Sequence, residues 1–150
     1  MQISSRFTIA LHIFAAISVF GNDYKITSEF LAGSIQANPV IIRNVLSQLR
    51  NAGLVKISRG TGGAEFAKDP AEITFYEIYA AVEPVEEGKL FRFHKNPNPA
   101  CPVGRNIHAL LDDILDEIQD AMEQEMRHYT AENLADGIGH LIAQEGNGTT

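Results

Sequence analysis

The sequence predicts a mainly α protein with one small β-hairpin: a winged helix-turn-helix followed by a long dimerisation helix. Three observations predict it. Two short helices meet across the link Gln36-Ala37, and the second has a polar outer face. A period-two hairpin with a glycine-rich turn follows at once. Far beyond it, one helix from Gly104 to His128 carries a continuous apolar stripe.

The chain opens with a helix over residues 3 to 20, capped by Ser4 or Ser5. Ile9, Ile13, Phe14, Ala16, Ile17 and Phe20 form its broad apolar face. His12 lies near that face and reads as a core or surface histidine. Gly21-Asn22-Asp23 is a turn. Thr27 caps a second helix, Ser28 to Gln36, with Glu29 placed to favour its N-terminal dipole and Phe30, Leu31 and Ile35 directed inward.

The third helix begins at the N-cap Asn38 with Pro39 in the first position, where no amide donor is needed, and stops at Gly53. Ile42, Val45, Leu46 and Leu49 recur at helical spacing as a buried stripe. Arg43, Asn44, Ser47, Gln48 and Arg50 face the other way, long donors and amides with no acid among them. An ordinary solvated face mixes in Asp or Glu; this one suits base edges and phosphates in a major groove. Val40 and Ile41 make its first turn more apolar than usual.

Periodicity then switches. Residues 54 to 58 alternate as a strand, Arg59-Gly60-Thr61-Gly62-Gly63 turns, and residues 64 to 67 return. No lysine–serine/threonine pair and no helix follow the glycines, which argues against a nucleotide loop. A hairpin tip bearing Arg59 suits a minor groove. Asp69-Pro70 breaks the chain, and Thr74 caps a helix through Phe75, Ile78, Tyr79 and Val82. Residues 84 to 103 are irregular and rich in proline, too long for a plain connector. In the long helix Ile107, Leu111, Ile114, Ile118 and Ala121 recur at steps of four and three, with acids on the other side. This stripe lacks an intrachain partner, so a second copy of the chain is its natural cover. Thr130 caps a last helix ending near Ala143, and Glu145 to Thr150 should fray. The expected organisation is a DNA-binding winged helix-turn-helix over 1–83, a sensor loop over 84–103, and dimerisation and C-terminal helices over 104–150.

The net charge of −7 over 150 residues, taken alone, argues against nucleic acid. Its distribution does the reverse. Residues 1–68 hold seven basic and three acidic side chains, a net of +4, and residues 69–150 hold five and sixteen, a net of −11. A basic half that can approach phosphate is joined to an acidic half that stays away from it. No apolar run approaches a membrane span. The single cysteine, Cys101, excludes an internal disulfide and points to a reducing, cytoplasmic setting.

Ser5-Arg6-Phe7, the run Leu49-Arg50-Asn51-Ala52-Gly53-Leu54-Val55, and Arg59-Gly60-Thr61-Gly62-Gly63 before a break at Pro70 together resemble the Rrf-two family of bacterial regulators, of the IscR, NsrR and CymR type. The resemblance spans nearly the whole chain. It implies a homodimeric winged-helix regulator, a repressor or an activator, on a palindromic double-stranded DNA operator. The metal-sensing branch carries three cysteines before the long helix, and this chain has only Cys101 there, near His94 and His108. One thiolate with imidazoles is not a cluster site. No metal and no cofactor is therefore expected, and the chain looks closer to single-cysteine thiol sensors. The candidate DNA-contacting residues are Ser5, Arg6, Ser28, Asn38, Arg43, Asn44, Gln48, Lys56, Arg59 and Thr61.

Cys101 precedes Pro102, a favoured first helical residue, which puts the thiol at an N-cap. There the helix dipole and unpaired amides favour a thiolate, with Arg105 one turn on. An inert, buried apolar cysteine is the plainer reading. The favoured function is a DNA-binding transcription regulator, a repressor responsive to oxidants or electrophiles through Cys101. The alternative is a sensing or dimerisation module that keeps the winged helix without specific DNA binding. No nucleophile–base pair, metal constellation or cofactor loop suggests an enzyme.

Overall fold

Local capping sets where the helices begin. In the computed structural model, which describes residues 3–59, 62–83 and 88–147, α1 spans Ser5–Phe20 rather than starting at residue 3. Ser4 is its N-cap, and its Oγ accepts the Arg6 amide at 3.2 Å. Helix α2 (Ser28–Ile35) is capped by Thr27, whose Oγ1 accepts the Phe30 amide at 3.1 Å. It ends one residue before the expected Gln36, because Gln36 turns left-handed at φ 57°. Helix α3 spans Pro39–Asn51, and Asn38 Oδ1 accepts the Val40 amide at 2.9 Å. Gly53 follows at φ 77°, a conformation that a Cβ would strain.

The expected stripe of α3 is buried: Ile42, Val45 and Leu49 are fully enclosed and Leu46 nearly so. They share one cluster with Ala10, Ile13, Phe14 and Ile17 of α1 and with Leu31 of α2. Burying each such side chain contributes about 1.5–3 kcal/mol, so the stripe fixes how α3 is rotated on the head. Leu54, Val55 and Ala64 extend the cluster into the wing.

The wing is shorter than alternation suggested. β1 (Val55–Ile57) pairs antiparallel with β2 (Ala64–Phe66), with Val55 opposite Phe66 and Ile57 opposite Ala64. The Ala64 amide donates to Ile26 O at 2.9 Å, and Phe66 stacks on Phe14 at 5.8 Å. A short 3-10 turn at Pro70–Glu72 leads to α4 (Phe75–Val82), capped by Thr74.

The long helix α5 spans Pro102–Arg127, two residues earlier at its start than Gly104 and one short of His128. Proline at the first position explains the early start, and Cys101 is the N-cap. Helix α6 (Ala131–Asn147) is opened by a reciprocal box: Thr130 Oγ1 accepts the Asn133 amide and Asn133 Oδ1 accepts the Thr130 amide. It continues past Ala143, so Glu145 to Asn147 are helical rather than frayed; residues 148–150 lie outside the described residues.

The path after α5 returns to the head. The Ala131 amide donates to Ile73 O at 2.8 Å and the Phe75 amide to Tyr129 O at 2.9 Å. Helix α6 then packs along α1, with Ala131 inside the core cluster and Leu134 against it. Within the chain α5 meets chiefly α4.

Candidate nucleic-acid interface

The rotation of α3 sets which of its side chains reach the surface. With its apolar stripe inward, Arg43 and Asn44 are exposed and Ser47 and Gln48 half-buried at the surface. A cleft of about 340 Å³ lies between the start of α2, the middle of α3 and the wing. Thr27, Ser28, Arg43, Ser47, Ser58 and Gly62 are among the residues lining it. The amides of a helix N-terminus and a guanidinium thus share one concave edge, an arrangement suited to a phosphate. Glu29 also lines this cleft and opposes an anion; Ser28 Oγ donates to its Oε2 at 3.2 Å, so the hydroxyl proton is turned toward that carboxylate.

The structure joins two of the sequence candidates directly. Arg6 Nη1 donates to Gln48 Oε1 at 3.4 Å, from the first turn of α1 to the last turns of α3. Arg6 thus orients the Gln48 amide as well as adding charge. Ser5 is exposed at the start of α1, and Asn38 is occupied as the α3 cap. On the wing, Lys56 pairs across the strands with Glu65 at 3.6 Å, both well solvated. Its charge is partly countered and weakly held. Arg59 is exposed at the end of the described part of the wing; Thr61 lies outside the described residues.

Thr27 was not among the sequence candidates, yet it lines the cleft beside Ser47 of the polar α3 face. Thr27 reads as a cap from sequence, and a cap hydroxyl at a helix start is also where phosphates are met, which is the signal that could have found it. His12 is exposed and bonded to Ser34 at 2.9 Å, and it does not line this cleft.

A family model described as Rrf2, iron-dependent transcriptional regulator, matches residues 3–137. The chain belongs to the Rrf2 family. YwnA of Bacillus subtilis (strain 168), described as an HTH-type transcriptional regulator, is 42% identical over 94% of this chain and 100% of its own length. A crystal structure described as a DNA-binding protein superposes with TM-score 0.69 at 36% identity, covering 86% of this chain and 97% of that one. CymR, the global cysteine regulator of B. subtilis, shares the fold with TM-score 0.64 at 24% identity, over 91% and 97% of the two chains. This Rrf2 protein is a DNA-binding transcription regulator with a winged helix-turn-helix.

The family description raises an iron centre, and the donors here do not fit one. The chain has one cysteine. Among the described residues no group of three His, Cys, Asp or Glu side chains is placed to hold a metal. His108 lies beside His94, but its Nδ1 meets Asp112 Oδ1 and its Nε2 meets the His94 carbonyl, both at 3.3 Å. Iron–sulfur clusters need several thiolates. Also among the described residues, no helix is long and apolar enough to cross a membrane.

Proposed function

We propose that this Rrf2 regulator is a homodimer, joined through α5, that represses from a palindromic operator. Residues 1–83 carry the reading surface, 84–103 the sensor loop and 104–150 the dimer-forming segment. Arg43, Asn44 and Gln48 approach bases or flanking backbone in the major groove. Ser5, Arg6, Ser28, Asn38 and Lys56 lie along the phosphates, and Arg59 meets the minor groove from the wing.

The observation that carries the dimer is the uncovered face of α5. Leu110 is 61% exposed, Ile114 43% and Ile118 51%, and Ala121 is exposed with them. Ile107 and Leu111 are half-buried at its edge. An apolar row this long on a helix of 26 residues supports pairing with a second copy. Sedimentation of the full chain at micromolar concentration tests it. The wild type should run as a dimer, and Ile114→Asp with Ile118→Asp as a monomer that shifts operator DNA far more weakly. A monomeric wild type contradicts the proposal.

Control of DNA affinity through Cys101 belongs to the same reading. The thiol is half-buried, makes no side-chain capping bond and starts the helix assigned to the dimer. A modified sulfur there would alter the helix start and the placement of the two heads. A mild oxidant should release DNA from the wild type and not from Cys101→Ser. A serine variant released equally well removes the thiol from the mechanism.

A further inference from the structure

The first turn of α3 holds two branched apolar side chains in water. Val40 is 52% exposed and Ile41 41% exposed, and neither joins the core cluster. Single exposed hydrophobes are ordinary on a protein surface. Here the placement is what matters. With Ile42, Val45, Leu46 and Leu49 inward, the helical repeat sets Val40 on the opposite face, in one column with Asn44 and Ser47. Ile41 lies to the flank, two turns before Gln48. The Asn38 cap holds the Val40 amide at 2.9 Å, which fixes the backbone of this turn. Branching at Cβ leaves Val one strongly preferred rotamer in a helix, so its methyl groups are held in place.

N-terminal residues of a reading helix are the ones that reach base edges. The apolar feature that a base pair shows in the major groove is the thymine C5-methyl, which cytosine lacks. We propose that Val40, flanked by Ile41, is a specificity-determining residue that packs on a thymine methyl in each half-site, at or beside the base pair met by Asn44. This deepens the reading of α3 as the major-groove helix and rests on it. Polar side chains on this face select by hydrogen bonds; Val40 adds selection by shape, favouring T over C where no donor or acceptor is engaged.

The test starts from duplexes enriched from a random pool by the full-length protein. Each thymine is replaced in turn by deoxyuridine, which removes only the methyl group. One thymine per half-site should weaken wild-type binding about fourfold, the worth of one buried methyl. Val40→Ala should bind the thymine operator more weakly by a similar factor and be indifferent to deoxyuridine at that position. Its circular dichroism should match the wild type, because the side chain supports no core contact. Wild-type indifference to deoxyuridine at every position overturns the proposal, as does a Val40→Ala protein that keeps the full penalty. A pool that yields no enriched sequence refutes the reading of α3 itself; an enriched sequence without methyl dependence refutes only the role of Val40.

Discussion

Arg6 and Gln48 lie 42 positions apart in sequence, and Arg6 Nη1 meets Gln48 Oε1 at 3.4 Å. Gln48 is expected to face DNA from the polar face of α3, and Arg6 from a family resemblance. Their contact was not legible, since no local pattern records which side of α3 the start of α1 crosses. Because Arg6 positions the Gln48 amide, the two should act as a unit. Arg6→Ala and Gln48→Ala are each expected to weaken operator binding, and the double variant by clearly less than the product, in a fluorescence-anisotropy cycle. Tyr79 poses a stability question instead. It is buried, and its hydroxyl has no hydrogen-bond partner among the described residues. Burial, then the charge of Glu123 on α5 and Glu83, raise its pKa above the ordinary 10.0. The fold therefore favours the neutral phenol. Its contribution is complete below pH 10 and is lost as pH climbs through the raised value. Tyr79→Phe should be no less stable at neutral pH and should lose less stability in alkaline urea titrations than the wild type.

At the scale of elements, caps and periods carried most of the information. Asn38-Pro39, Thr27 and Thr74 each start the helix that their chemistry suggests, and the stripe of α3 is the stripe of the core. The long helix begins at Pro102, as a proline at the first position favours. What sequence could not give was docking. Amphipathicity tells that α6 has an apolar face; it does not tell that the face lies on α1. The wing shows the same limit. Its glycines read as a turn, yet Gly63 is required for another reason: a Cβ there would come within 2.3 Å of the Ile26 amide nitrogen, the backbone against which the wing is hydrogen-bonded. Gly63→Ala should lower stability by about 1–3 kcal/mol and loosen the wing. Gly137→Ala, in open space within α6, should raise it by about 0.5–1 kcal/mol. Thermal unfolding of the two variants checks both signs.

Across the whole molecule, charge and packing divide the labour. The basic first half holds α3 and the wing, and the acidic second half holds α5 with its exposed apolar row. Family membership makes the chain a transcription regulator; symmetry is what would make its DNA site a palindrome. A two-fold dimer presents two α3 helices, and helix-turn-helix dimers read half-sites about one turn of B-DNA apart, roughly 34–36 Å, or a multiple of it. Sequencing the duplexes that the full-length protein enriches from a random pool measures this directly. A dimer joined through α5 should enrich an inverted repeat with that spacing, whose two-fold symmetry is lost from the enriched pool when Ile114→Asp and Ile118→Asp are introduced. An enriched motif without inverted symmetry in the wild-type pool would contradict it.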